Sequence, residues 1–486
     1  MEQVNNVKQK HIMFATAVLI VSSISPLTAA ENKTREDIMS LSIGPNLFID
    51  DYLIAESRDL KRTAYQPEKH PTPVFHVTPG NVSYDSDGRR FRMLYIENGQ
   101  YALAESANGI DWQKPELGLV DAAGSRRNNF IDAPRGGFQG QFLDDGPSSS
   151  DPARRHKLAL FRDGKGLCVA FSSDGLRFTE FTNNPVIPEN ANSIPVGKPG
   201  SESVISDVIN GCWDPLKQEY LIICKMWEGG YPGKPHHADA GYRRVVGMTT
   251  SKDFVAWEKT RIIVRPDPKN GLEEFYSFSP MVRGNLYIGF LHVLRDDLAA
   301  TAGSAMEGIG WTELVTSRDG RNWSRHQEKF LDRDPEEGQF GHAMAWCGDS
   351  VVVGDKEYFY YVALLSGHKT DRRNGRKSGL AILRKNGFVS RDAGSKGGFL
   401  KTHLAVLPGK GLTVNAVIRG QLRVRLVNAD RSVLPGFDWT DCVDLRGDSV
   451  AHRVKWQAHQ SVPKGAVVSL EFELKDAELY GFDFAD

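Results

Sequence analysis

The residues best equipped for chemistry fall in a few short clusters of the 486-residue chain. His236-His237-x-Asp239 offers side chains of the types that hold a metal ion. Adjacent side chains point opposite ways along an extended chain, so an exposed polar loop is the expectation there, with no metal. Arg295-Asp296-Asp297 and His368-Lys369, the latter followed by Arg372-Arg373, concentrate cations and carboxylates. Such groups hold polar or anionic ligands through charge-assisted hydrogen bonds. The five cysteines, Cys168, Cys212, Cys224, Cys347 and Cys442, are odd in number and contain no CxxC pair. Across the hairpin that contains it, Cys212 should face Leu221 or Ile222 rather than Cys224. With no histidine positioned beside them, the thiols are expected to be buried small hydrophobes, neither nucleophiles nor a disulfide framework.

The elements that must position these groups announce themselves as a repeat. The pattern Ser-x-Asp/Asn-Gly-x-x-aromatic occurs at Ser106–Trp112, Ser172–Phe178 and Ser317–Trp323. It recurs at Ser251–Trp257 with Phe254 in place of glycine, and in reduced form at Asn386-Gly387-Phe388. The copies start at 106, 172, 251, 317 and 384, steps of 66, 79, 66 and 67 residues. Each reads as a β-turn, because the acidic or amide side chain bonds the turn backbone and glycine tolerates positive φ. Strand-like runs precede every turn, for example Val82–Tyr84, Phe91–Ile96 and Tyr101–Glu105 before the first. Three strands before the turn and one after it make a four-stranded antiparallel sheet. Five such sheets predict a five-bladed β-propeller over residues 45–395, and the short strands of 396–486 predict a C-terminal β-sandwich. The aromatic residues of the turns are expected to pack between sheets.

Composition agrees with an all-β protein and excludes other classes. The chain holds 47 Gly and 24 Pro, residues that punctuate strands and disfavour helix interiors. Its 60 Lys+Arg against 61 Asp+Glu give a net charge of -1, which argues against a nucleic-acid partner needing a basic surface. Residues 1–30 read as a secretory signal: Lys8, Lys10 and His11, an apolar run from Ile12 to Ile24, then Thr28-Ala29-Ala30. That run is too short for a membrane span, which needs about 20 residues. A secreted or periplasmic protein with no membrane span is expected.

Several motifs carry a family likeness: Phe48-Ile49-Asp50-Asp51, Asp85-x-Asp87-Gly88-Arg89-Arg90-Phe91, Asp151-Pro152-Ala153-Arg154-Arg155, Trp213-Asp214-Pro215 and Asn386-Gly387-Phe388-Val389-Ser390. With the repeated turns, they make the chain resemble the propeller glycoside hydrolases grouped around families 32 and 43, and within them a secreted glycosidase-like branch. The resemblance implies a central funnel where carboxylates from different blades cleave a glycosidic bond, through an oxocarbenium-like transition state that needs one charged carboxylate and one proton donor. It implies a carbohydrate substrate and no cofactor. The funnel is lined by the starts of the innermost strands and by the loops joining second to third strands. On that basis Asp207, Glu273 and Glu274 are the catalytic candidates. Tyr276, His342, Arg295, Asp296, His368, Arg372 and His236 are the candidates for substrate contact. The related hydrolases carry an acid at the start of the first blade. Here residues 60–84 contain no Asp and Asn81 stands in that place, leaving Asp50 or Asp51 as possible substitutes. Asp214 is expected to be a turn residue on the opposite face. Two further readings fit the same residues: a non-catalytic carbohydrate-binding propeller, and a sialidase-like or lyase enzyme on an acidic sugar.

Overall fold

The repeated turns organise the molecule by satisfying their own backbone. In the first, Ser106 Oγ accepts from the Gly109 amide at 2.9 Å, and Asn108 Oδ1 accepts from the Ile110 and Asp111 amides, both at 2.9 Å. Asp174, Asp253 and Asp319 repeat the arrangement with the amides two and three residues on. Gly109, Gly175 and Gly320 adopt φ of 78°, 72° and 65°, the left-handed conformation that favours glycine. Phe254 adopts 65° in the third copy. Its ring is fully buried against Phe171, Tyr220 and Trp257, and that burial offsets the local strain.

The computed structural model describes residues 38–85, 88–135, 140–189, 199–233, 241–370 and 375–486. Met39–Asp486 form one compact unit that is almost entirely β-structure, with a single short 3-10 turn at Pro152–Arg154 among the described residues. Antiparallel sheets precede each turn. The first comprises Asn81–Asp85, Arg90–Glu97 and Gln100–Ser106. The second is built on Gln141–Asp144, His156–Arg162 and Gly166–Ser172, and the third on Ile209–Asp214, Glu219–Gly229, Tyr242–Ser251 and Arg261–Val264. Glu273–Arg283, Leu286–Arg295, Ile309–Ser317 and Ser324–Leu331 make the fourth; Met344–Val353, Lys356–Leu364 and Lys377–Arg384 make the fifth. One parallel pair, Gly310 with Met344, joins the fourth to the fifth.

The fifth sheet departs from the expected order. The strand after its turn, Val389–Ala393, leaves to pair with Lys61–Ala64 and with the last strand of the chain. Glu68–Lys69 takes the outer position instead, pairing with Ile382 and Ala381. The C-terminal sheet is likewise not built from 396–486 alone, because Gly44–Leu47, Ile54–Arg58 and Lys61–Ala64 pair into it. Its backbone is two long strands, Gly411–Asn428 and Val467–Ala485, where the sequence suggests short ones.

Apolar layers separate neighbouring sheets: Leu103 with Leu158 between the first and second, Val169 with Ile222 between the second and third, Ile223 with Phe275 between the third and fourth. Phe290 and Phe359 pack between the fourth and fifth, and Tyr360 with Phe91 between the fifth and first. The first strands of the sheets are cross-linked by polar side chains. Asn81 donates to Asp349 at 2.9 Å and accepts from the Phe142 amide at 2.8 Å, Gln141 accepts from the Gly211 amide at 3.1 Å, and Asn210 donates to Ser277 at 2.8 Å. From the fourth sheet's first strand, Arg283 reaches the second strand of the fifth, on Glu357 at 2.9 Å. Asn81 therefore has both ends of its amide committed to neighbouring strands. Asp50 and Asp51 are bound to Arg318 and Arg391, so neither replaces an acid at that position. Asp214 accepts from the Leu216 and Lys217 amides and from the Tyr287 hydroxyl, a turn residue as expected. All five cysteines are free, and Cys212 faces Leu221.

The turn acids make stability depend on pH. Burial opposes ionisation of Asp174, but the Arg177 and Leu176 amides, the Ser172 hydroxyl and the Arg177 guanidinium together bring its carboxyl down to about 2. Asp319 is lowered for the same reasons, burial again opposed by backbone amides. Because the folded values lie below the unfolded value of about 4, their stabilisation is present above it and is lost as pH falls through the folded range. The Asp174→Asn/Asp319→Asn variant is expected to lose less stability than the wild type between about pH 4 and about pH 2. Urea-unfolding midpoints across that range test this.

Candidate functional site

At the ends where the first strands of the third and fourth sheets begin, a buried ionic and aromatic cluster draws on three sheets. Asp207 lies two residues before Ile209–Asp214 begins and pairs with Lys225 Nζ. Lys225 lies in the otherwise apolar stretch Tyr220–Trp227 and is only 5 % exposed, so its charge needs a partner in place. Its ammonium also stands over the rings of Tyr276, at 4.9 Å, and Trp227, at 5.4 Å. Arg244 opens the next strand and packs on the same two rings, 4.6 Å from Trp227 and 5.3 Å from Tyr276. Its guanidinium donates to Glu274 at 2.5 Å and its backbone amide donates to the other oxygen at 3.0 Å. Two carboxylates, two cations and two aromatic rings thus form one connected unit.

The fifth sheet closes its flank. Trp346 and His368 pack on Tyr276 with ring centroids 4.7 and 5.1 Å away. Trp346 is held by its indole N–H on the Val293 carbonyl at 3.0 Å and by His292 stacked against it. Burial lowers the His292 pKa to about 4, opposed only by its bond to the Cys347 carbonyl, so this histidine is a neutral spacer. Asp296 is fully buried, with Lys369 Nζ 3.8 Å away.

The two carboxylates are pushed in opposite directions. Burial raises Glu274, the nearby Asp296 adds to the effect, and Arg244 only partly opposes it. Burial also works against ionised Asp207, but Lys225, with help from the Ser206 hydroxyl, outweighs it and brings the carboxyl below its ordinary range. Such a split gives the two carboxyls different tendencies to hold a proton, Glu274 the stronger and Asp207 the weaker.

Of the residues singled out from sequence, Asp207, Glu274, Tyr276, Asp296 and His368 are brought together. Glu273, the neighbour of Glu274 along an extended strand, takes another set of partners: Arg325 at 2.8 and 2.9 Å, in a triad with Glu313. Arg295 is bound to Asp297 at 2.9 and 2.8 Å. His342 braces the loops around it through Thr301 and the Asp334 carbonyl, both at 3.3 Å. His236 and Arg372, with His237, Asp239 and Arg373, lie outside the described residues. Lys225, Trp227, Arg244 and Trp346 are additions that sequence reasoning missed, although a lysine inside an apolar strand and the Arg243-Arg244 pair at a strand start were available signals. Among the described residues no group of three His, Cys, Asp or Glu could hold a metal, and no helix is long and apolar enough to cross a membrane.

A cavity of about 370 Å³ begins further along the same first strands, lined by Asn81, Gln141, Cys212, Ser279 and Asp349 among others. Asp349 faces it with its pKa raised by burial, against the bonds from Asn81 and the Val82 amide. The cavity contains neither Asp207 nor Glu274 in its wall.

No protein-family model matches the sequence, and no curated protein aligns with it. Among solved structures the chain is similar to a glycoside hydrolase at 13 % identity and a TM-score of 0.41, covering 74 % of this chain and 96 % of that one. It is similar to a fructofuranosidase from Schwanniomyces occidentalis at 10 % identity and a TM-score of 0.39, covering 87 % and 98 %. An N-acetylgalactosamine deacetylase from F. plautii matches at 15 % identity and a TM-score of 0.39, covering 67 % and 96 %. At these values function has to be read from the residues themselves.

The cluster's stability has a checkable signature. Arg244→Met strands Glu274 in a dry setting and is expected to cost about 3–5 kcal/mol in urea unfolding. Arg244→Met/Glu274→Met removes the stranded acid and should recover most of that loss.

Proposed function

We propose that the five sheets are the blades of a five-bladed β-propeller, with Glu68–Lys69 as the outer strand of the last, and that residues 39–64 join 396–486 in a β-sandwich. The apolar layer between every neighbouring pair of sheets, fifth to first included, supports this arrangement. On that scaffold the protein is an exported glycoside hydrolase acting on a poly- or oligosaccharide. The observation that carries the reading is the opposite displacement of Asp207 and Glu274 within one cluster. Glu274 gives its proton to the glycosidic oxygen as the bond to the anomeric carbon breaks. Asp207 takes a proton from the water that adds to that carbon, and the products are a hemiacetal and a free hydroxyl. Tyr276 and His368 contact the sugar, Trp346 backs them, and Asp296 acts through Glu274. Arg295 and His342 hold the surrounding loops.

A second reading is a carbohydrate-binding propeller without turnover. It is favoured by the pairing of each candidate carboxylate with a cation: Asp207 with Lys225, Glu273 with Arg325 and Glu274 with Arg244.

A polysaccharide panel read for both reducing-end release and binding separates the two. Hydrolysis should rise with pH as Asp207 ionises, below the ordinary carboxylate range, and fall as Glu274 loses its proton above it. Asp207→Asn and Glu274→Gln should each lower kcat about 10²–10⁴-fold. Turnover indifferent to both variants overturns the site assignment, and binding without any release leaves the second reading.

A further inference from the structure

A separate cleft of about 530 Å³ opens on the seam between the fifth and first sheets, and none of its lining belongs to the Asp207 cluster. Its walls are Phe75 and His76 from the segment leading into the first sheet, Trp112 and Lys114 from just beyond the first repeated turn, and Lys377 from the start of a fifth-sheet strand. Three rings meet at steep angles, with Phe75 4.6 Å from His76, tilted by 50°, and 6.3 Å edge-on from Trp112. Trp112 rests in turn on Tyr360 at 5.8 Å, which fixes its plane. The backbone beneath is equally fixed: Val74 donates to the Ser378 carbonyl at 2.9 Å, and Ser378 returns bonds to the Phe75 and Val77 carbonyls at 3.0 and 2.6 Å. A cleft built this way needs little ordering when a ligand enters.

Its charges are unequal. Lys114 is neutralised by Glu97, with contacts of 2.8 and 2.9 Å, and His76 reaches the same carboxylate at 3.4 Å. Lys377 makes no ion pair with any described residue, although it is half-buried in the cleft wall. One cation therefore faces the cleft beside the rings of His76 and Trp112. Sugar rings present apolar C–H faces to aromatic surfaces, and an acidic substituent would meet the ammonium.

We infer that this seam is a second saccharide-binding site, selective for an anionic sugar residue whose carboxylate or sulfate is held by Lys377. Titration calorimetry of the whole protein with an oligogalacturonate, a sulfated oligosaccharide and a neutral oligosaccharide of equal length tests it. At least one anionic probe should bind, more weakly as salt rises, and which of the two binds identifies the acidic group. Lys377→Gln should weaken that binding about ten-fold or more, and Lys377→Arg should largely restore it. Failure of both anionic probes to bind, anionic binding unchanged in Lys377→Gln, or an equal loss of neutral-probe binding in Lys377→Gln overturns the inference. None of these outcomes bears on hydrolysis, because the Asp207 cluster is left intact in both variants.

Discussion

Five strands that start their sheets converge on one cavity, and polar groups in that convergence cannot be left without partners. A buried amide or carboxylate without a hydrogen bond costs about 1–3 kcal/mol, and several side chains there are answered by a neighbouring sheet. Asn81 serves two neighbours at once, Gln141 the Gly211 amide, and Asn210 the Ser277 hydroxyl. These bonds set the relative height of the strands. The height in turn decides which residues emerge together at their ends, and Asp207 and Glu274 share a cluster for that reason.

The cluster is dense in ionisable groups, with Lys225, Arg244 and Lys369 set against Asp207, Glu274 and Asp296. Water is largely excluded: the Lys225, Arg244 and Glu274 side chains are 5 %, 4 % and 0 % exposed. In such a setting each charge is stabilised mainly by its partner, and a change in one protonation state is felt by the others. Tyr276 and Trp227 are shared by both cations.

Much of the framework was legible in the sequence because turns and strand alternation are local properties. The Ser-x-Asp-Gly pattern encodes its own hydrogen bonds, and even the Phe254 exception keeps the side-chain acceptor that defines the turn. The outer edge of the fifth sheet was not legible, since Glu68–Lys69 pairs with residues more than 300 positions away and two residues carry no periodicity. The site was half legible. Asp207 and Glu274 follow from their place at strand starts, whereas separating Glu274 from Glu273 requires the facing of one strand. The roles of Lys225 and Arg244 exist only through partners in other segments.

That same pairing of Glu68–Lys69 with Ala381 and Ile382 bears on how the chain acquires its shape. Glu68–Lys69 has its strand partners in Lys377–Arg384, so this edge is closed by contacts that span more than 300 residues. Contacts of such long sequence separation slow folding and prolong the exposure of unpaired strand edges. A cut between the second and third sheets would leave two fragments, each holding one half of the seam. Their recombination, rather than the folding of either alone, would restore the edge.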